Sequence, residues 1–202
     1  ERHPGGPRRL FVASELRDPK LLGQLASCRT GRRQEYFGNK IDGRLLTSAM
    51  LRSAMEASRC SAVLYDVSVM HHLTHLEVMD VALRLVQALQ PIEEPQKVAL
   101  DVILSSTQHM AYTVGIREPF HSTLWGFCRT ARIENPMHEV RVLDIDAGRR
   151  EQDLALISRY LMGAQSIRPT EAIIRNGALH VSRLVNARMQ LKLPTRVEVR
   201  AR

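Results

Sequence analysis

Several side chains in this sequence have types that move protons or bind metals, and their spacing decides whether they can act. Tyr36-Phe37-Gly38-Asn39-Lys40 sets a phenol four residues before an ammonium. On a helix that spacing brings the lysine one turn from the tyrosine, where it lowers the phenol's pKa and readies it as a general acid. Gly38, Asn39 and nearby Gly43 are poor helix formers, so the pair reads as a chance match. Trp125 and Arg129 repeat the spacing, but an indole does not donate a proton as a phenol does. They read as a packing anchor and a structural salt bridge. His71, His72 and His75 cluster beside Glu77, and a metal could reach His71 and His75 across one helical turn. No third ligand follows at a useful spacing, so these read as loop and helix-start histidines. Cys128 sits in an apolar stretch and reads as a small buried hydrophobe. His-Glu-x-x-His and the Gly-x-Ser-x-Gly nucleophile elbow are both absent. The expected set is therefore empty: no catalytic, no cofactor-binding and no metal-ligating residue.

The elements that would position any site alternate in type. Arg9 to Ser14 reads as a short buried strand, Lys20 to Ser27 as a helix, and Arg33 to Phe37 as a second strand. Leu45 to Ser58 repeats apolar residues at helical spacing, with Thr47 or Ser48 as cap. Ser61 to Val67 is a continuous apolar run closing on Asp66, as in a strand buried on both faces. Leu73 to Leu89 is the clearest amphipathic helix, ended before Pro91-Ile92-Glu93-Glu94-Pro95. Val98 to Leu104 is a strand leading into Ser105-Ser106. Ser122 to Glu134 is a helix stopped by Asn135-Pro136, Val140 to Ile145 a strand, and Glu151 to Met162 a helix. Glu171 to Ile174 and Leu179 to Leu184 flank Arg175-Asn176-Gly177, a hairpin signal. This alternation predicts an α/β fold: a truncated, Rossmann-like, doubly wound and mostly parallel sheet joined by right-handed crossovers, with a C-terminal β-hairpin.

In such a sheet ligands bind at the carboxyl ends of the strands. Asp66, Asp144 and Asp146 fall there and are equally suited to cap the helices that follow. Ser105 and Ser106 stand where a reductase of this layout places its serine, yet no tyrosine with a partner Lys or Asn follows. The turn after the first strand, Ser14-Glu15-Leu16-Arg17-Asp18-Pro19, has no glycine and two carboxylates. A dinucleotide needs glycines there, so that the backbone can approach the pyrophosphate. Gly-x-Gly and the P-loop Gly-Lys-Ser/Thr occur nowhere.

The chain has 202 residues and a formal net charge of +8. Residues 1–40 hold nine Lys/Arg against four Asp/Glu, residues 181–202 six against one, and residues 41–180 fourteen against sixteen. The excess lies on the ends, and aromatics are only 4%. A nucleic-acid site wants one basic face with interleaved aromatics, so nucleic acid is not the expected partner. No apolar run approaches the ~20 residues of a membrane span. Cys28, Cys60 and Cys128 are scattered and odd in number, which argues against a disulfide or zinc framework and for a reducing, cytoplasmic setting.

One ordered set of segments says more. Leu124-Trp125-Gly126-Phe127-Cys128-Arg129, then Glu134-Asn135-Pro136, then Val142-Leu143-Asp144-Ile145-Asp146 resemble a signature of the ketoreductase region of modular polyketide synthases. Val86-Gln87-Ala88-Leu89 and Leu104-Ser105-Ser106-Thr107-Gln108 resemble segments upstream of it. Ile173-Ile174-Arg175-Asn176-Gly177 and Val181-Ser182-Arg183-Leu184 resemble its closing hairpin. The likeness covers about residues 60–186. Cys128 stands where the family usually has Gly, and Asn135 where it usually has His.

That resemblance implies a region built of two Rossmann-like halves, of which this chain is similar to the N-terminal, structural one. It implies linkers at 1–8 and 187–202 around a subdomain at 9–186, the second linker leading toward a catalytic reductase domain. By implication this segment binds no cofactor. NADPH belongs to the catalytic half, which reduces a β-keto group on a chain tethered to an acyl carrier protein. The implied partners are that half and neighbouring synthase domains, the carrier protein among them. A stand-alone Rossmann-like ligand-binding module, using Asp66, Ser105 and Ser106, and a pseudo-ketoreductase half of a fatty acid synthase stay open as alternatives.

Overall fold

The computed structural model describes residues 9–14, 20, 35–40, 47–58, 62–70, 73–90, 98–108, 119–162 and 169–182. Among the described residues seven strands form one sheet: β1 (Arg9–Ser14), β2 (Glu35–Lys40), β3 (Ala62–Asp66), β4 (Ala99–Ser105), β5 (Glu139–Ile145), β6 (Glu171–Arg175) and β7 (Ala178–His180). Their order is β2-β1-β3-β4-β5-β6-β7. Every pairing is parallel except β6 with β7. Among the described residues four α-helices pack on this sheet: α1 (Ser48–Ser58), α2 (His75–Leu89), α3 (Thr123–Glu134) and α4 (Arg150–Met162).

The apolar runs are strands because the sheet is covered on both sides. β3 and β4 are buried along their whole length. Val63, Tyr65, Leu100, Val102, Leu104, Val140 and Val142 face α1, α2 and α3 in one core. Ala62, Leu64, Ala99, Ile103, Leu143, Ile145, Ala172 and Ile174 face α4 in the other. Two successive core residues thus point to opposite cores, as strand alternation requires.

Local chemistry fixes the helix ends. Thr74 caps α2 in a reciprocal capping box: the Glu77 amide donates to Thr74 Oγ1, and the Thr74 amide donates to Glu77 Oε2 at 2.8 Å. Thr47, rather than Ser48, caps α1 by accepting from the Met50 amide at 3.3 Å. Asn135 ends α3, with its amide N–H donating to the Ala131 carbonyl. Asn176 and Gly177 close the hairpin at φ +51° and +73°, both in the left-handed region that a type I′ turn requires.

Some boundaries and one connection differ from the sequence reading. β2 runs Glu35–Lys40 rather than Arg33–Phe37, because the parallel ladder with β1 extends through Gly38 and Asn39 despite their weak strand preference. β7 stops at His180, well short of Leu184. The helix expected over Lys20 to Ser27, the start expected for α1 at Leu45, and both linkers fall outside the described residues, apart from Lys20 itself. The crossovers through α1, α2 and α3 all step the same way along the sheet and lie on one face. The crossover through α4 steps the same way on the opposite face. It therefore has the opposite hand, an exception to the right-handed rule.

Candidate functional site

The carboxyl edge of the sheet is where this architecture would hold a ligand, and the switch in strand order falls between β1 and β3. Two ion-pair clusters organise that edge, one on each face of the sheet.

On the α4 face, Asp66 ends β3. Its Oδ1 accepts from the Ser68 amide at 3.2 Å and the Ser68 hydroxyl at 2.6 Å. Arg150, the first residue of α4, donates to Asp66 Oδ2 at 2.6 Å and to Ser68 Oγ at 2.5 Å. β4 lies between β3 and β5 in the sheet, so this guanidinium ties the start of α4 to the end of β3 across the top of β4. Ser105, the last residue of β4, is fully buried, and its hydroxyl has no hydrogen-bond partner.

On the other face, Asp144 is fully buried near the end of β5. It accepts from the amides of Thr107 and Gln108 at 3.1 and 2.9 Å. Arg175, at the end of β6, donates to Asp144 Oδ2 at 2.5 Å and also to the carbonyls of Asp144, Ile174 and Gln108. Trp125 of α3 closes this cluster, its indole N–H donating to Thr107 Oγ1 at 2.9 Å. Between the clusters Ser106 adopts φ +51°, an uncommon conformation for a residue with a side chain. Its amide donates to the Ile145 carbonyl at 2.8 Å, and its hydroxyl accepts from the Ala147 amide at 3.2 Å. Asp146 accepts from the Gly148 amide at 2.9 Å and so caps the short 3-10 turn Ala147–Arg149.

The structure thus brings Asp66, Ser105, Ser106, Asp144 and Asp146 to one edge, where Asp66 and Asp144 pair with arginines and Asp146 caps a turn. The sequence reading had not singled out Arg150 and Arg175 as their partners. The available signal was a charged residue closing an apolar strand run, as in Ile173-Ile174-Arg175 and Val142-Leu143-Asp144. Such charges need each other when adjacent strands bury them together.

The other chemical candidates separate in space. Tyr36 and Lys40 lie on β2, a strand, where four residues span about 13 Å and make no helical turn. His75 opens α2 and lies 3.3 Å from Thr123 Oγ1. His71 and His72 fall outside the described residues, among which no group of three metal-binding side chains occurs. Burial pushes the Cys128 thiol up to about 12, so it is no thiolate nucleophile near neutral pH. Arg129 lies over the Trp125 ring, 6.0 Å from its centroid, and grips Glu171 of β6 through Nε at 2.8 Å and Nη2 at 2.7 Å. Arg132 bonds the same carboxylate. The Arg129 hydrogen bond, with Arg132 beside it, holds Glu171 below the usual carboxylate range.

In the sequence, positions 15–19 after β1 include no glycine of the kind that admits a pyrophosphate, and they carry Glu15 and Asp18. Asp66, beside the switch point, is already engaged by Arg150 and Ser68.

Fold and edge together define a Rossmann-type domain of the short-chain-dehydrogenase shape. It aligns with the crystal structure of a short-chain dehydrogenase from Burkholderia cenocepacia J2315 in complex with NADP, at 12% identity and TM-score 0.57, covering 83% of this chain and 88% of that one. It aligns more closely with a C2-type ketoreductase from a modular polyketide synthase, at 19% identity and TM-score 0.67, covering 89% of this chain and 40% of that one. The first ketoreductase of the tylosin synthase follows at 20% identity and TM-score 0.63, covering 86% and 37%. The family model described as "Polyketide synthase extender module SpnB, Rossmann fold domain" matches residues 18–184. The chain belongs to that family: it is a Rossmann-fold domain of a polyketide synthase ketoreductase region. It spans about two fifths of the length of the ketoreductase chains it matches. A search of curated protein sequences found no match. No helix among the described residues is long and apolar enough to cross a membrane.

Proposed function

We propose that this domain is the non-catalytic, structural half of its ketoreductase region. In this reading it supports a separate catalytic half, which uses NADPH to reduce a β-keto group carried on an acyl carrier protein. The carrying observation is the engagement of the carboxyl edge. Asp66 and Asp144 hold backbone amides and arginines of their own domain, Asp146 holds the Gly148 amide, and Trp125 stands one helical turn before Arg129 where a catalytic helix would offer a phenol and an ammonium. A Rossmann layer whose carboxylates are committed to its own turns supplies a rigid surface rather than a reaction centre.

The test is direct. The purified chain, mixed with NADPH and a β-ketoacyl thioester, is expected to show no NADPH oxidation above the buffer rate. Its thermal midpoint is expected to stay constant as NADPH or NADP is titrated. A midpoint that climbs with cofactor concentration would show binding to the folded state and overturn the reading.

A further inference from the structure

The segment that follows β4 carries two costs side by side. Ser106 holds φ +51°, a left-handed conformation that a residue with a side chain keeps only where its surroundings over-determine it. Asn176 holds the same conformation because the hairpin turn demands it, but Ser106 closes no hairpin. Next to it the Ser105 hydroxyl is fully buried without a hydrogen-bond partner among the described residues. A relaxed backbone at 105–106 would relieve both the strained torsion and the unsatisfied hydroxyl.

What holds the strained form comes from both faces of the sheet. On one side the Ser106 hydroxyl accepts from the Ala147 amide at 3.2 Å. Ala147 opens the 3-10 turn that runs directly into α4, and Arg150, the first residue of α4, bridges Asp66 and Ser68. On the other side the next two amides, Thr107 and Gln108, donate to buried Asp144 at 3.1 and 2.9 Å. Arg175 grips Asp144 and the Gln108 carbonyl, and the Trp125 indole N–H holds Thr107. Hydrogen bonds and short stretches of chain thus run from Ser68 to Trp125, and Ser106 is where the two halves of that line meet.

We propose that Ser106 is a conformational joint, a two-state element whose left-handed state is kept only while both clusters are closed. Opening the Asp66–Arg150 cluster on one face would let Ser106 relax and draw the Thr107 and Gln108 amides away from Asp144. Opening the Asp144–Arg175 cluster would loosen Ala147 and the start of α4 in the same way. The coupling is reciprocal, because one torsion is biased from both sides.

The test uses hydrogen exchange in the intact chain and the emission of Trp125, its single tryptophan. Exchange is read relative to Leu64 and Val142 in mid-sheet, so that a general loss of stability is divided out. Arg150→Met is expected to speed exchange of the Thr107 and Gln108 amides by about fivefold or more and to shift Trp125 emission to longer wavelength. Arg175→Met is expected to speed exchange of the Ala147 and Ser68 amides by a similar factor. If Arg150→Met does not fold, Ser68→Ala removes one hydroxyl from the same cluster and is expected to act in the same direction. Glycine takes positive φ freely and lacks the hydroxyl that meets Ala147. In a Ser106→Gly background the effects that cross the sheet are therefore expected to vanish, while those within each altered cluster persist. Effects confined to the altered cluster in the parent chain would overturn the proposal. Crossing effects that persist undiminished in Ser106→Gly would overturn the choice of Ser106 as the joint.

Discussion

Buried arginine–carboxylate pairs occur in two parts of this sheet, and they are built differently. At the carboxyl edge, Asp144 meets Arg175 at 2.5 Å and two backbone amides besides, so its oxygens are well supplied. In mid-sheet, Asp101 of β4 and Arg141 of β5 are directly paired in the ladder and almost wholly buried. There Arg141 Nε sits 3.4 Å from Asp101 Oδ1 and Nη2 lies 2.6 Å from Glu139 Oε2, yet neither contact has hydrogen-bond geometry. The edge pair organises chain, since it fixes the turn after β4 and the end of β6. The mid-sheet pair joins strands that the ladder already joins. A buried charge pair stabilises when its hydrogen bonds are complete and is close to neutral against apolar packing when they are not.

The comparison breaks most easily at Arg175. Arg175→Met leaves Asp144 buried without a counter-charge and is expected to lower unfolding free energy by about 3–5 kcal/mol, read from urea denaturation. A loss under about 1 kcal/mol would mean that the Thr107 and Gln108 amides alone suffice for the carboxylate. Replacing both partners sharpens the contrast. Asp101→Leu with Arg141→Met is expected to be neutral or to stabilise by up to about 4 kcal/mol, whereas Asp144→Leu with Arg175→Met is expected to lose about 2 kcal/mol or more, because two buried amides lose their acceptor. Equal outcomes for the two double variants would erase the distinction.

Acid should act in two steps. Burial holds the His138 imidazole below its ordinary value, so the folded state favours the neutral ring. Stability is then full above about pH 6.5 and falls as the pH drops below it, while the unfolded chain takes up the proton first. Glu171 is lowered by Arg129, so its contribution is present above about pH 4.5 and is lost on further acidification. His138→Leu is expected to flatten the upper step of a plot of thermal midpoint against pH and to leave the lower one. The smallest effect is expected at Ser106, where Gly relieves the positive φ but removes the acceptor for the Ala147 amide. Ser106→Gly should change stability by no more than about 1 kcal/mol, measured by the same denaturation.

Much of this architecture was legible as local pattern. Ser61 to Val67 and Val98 to Leu104 are apolar because both faces of β3 and β4 are covered. Asn176-Gly177 announced the hairpin, and Asn135-Pro136 the end of α3. Charge pairing was not readable: Asp101 and Arg141 stand 40 positions apart, and only the register of β4 against β5 makes them neighbours. The hand of the α4 crossover was equally hidden, because periodicity gives a helix its apolar stripe but not the side of the sheet to which that stripe turns. β2 was misplaced because parallel pairing with β1 carries Gly38 and Asn39 into a strand that their own preferences oppose.

The β6–β7 hairpin has a consequence in time. Ile173 meets His180 across a two-residue turn, while Leu10 must find Ala62 before β1 and β3 can pair. A hairpin closes in about 1–10 microseconds, whereas long-range parallel pairing first bears the entropy of closing its loop. The far edge of the sheet can therefore order early, with Arg175 at its turn already placed to receive Asp144. Assembly of this domain would then run from its last strands toward its first, against the direction in which the ribosome delivers them.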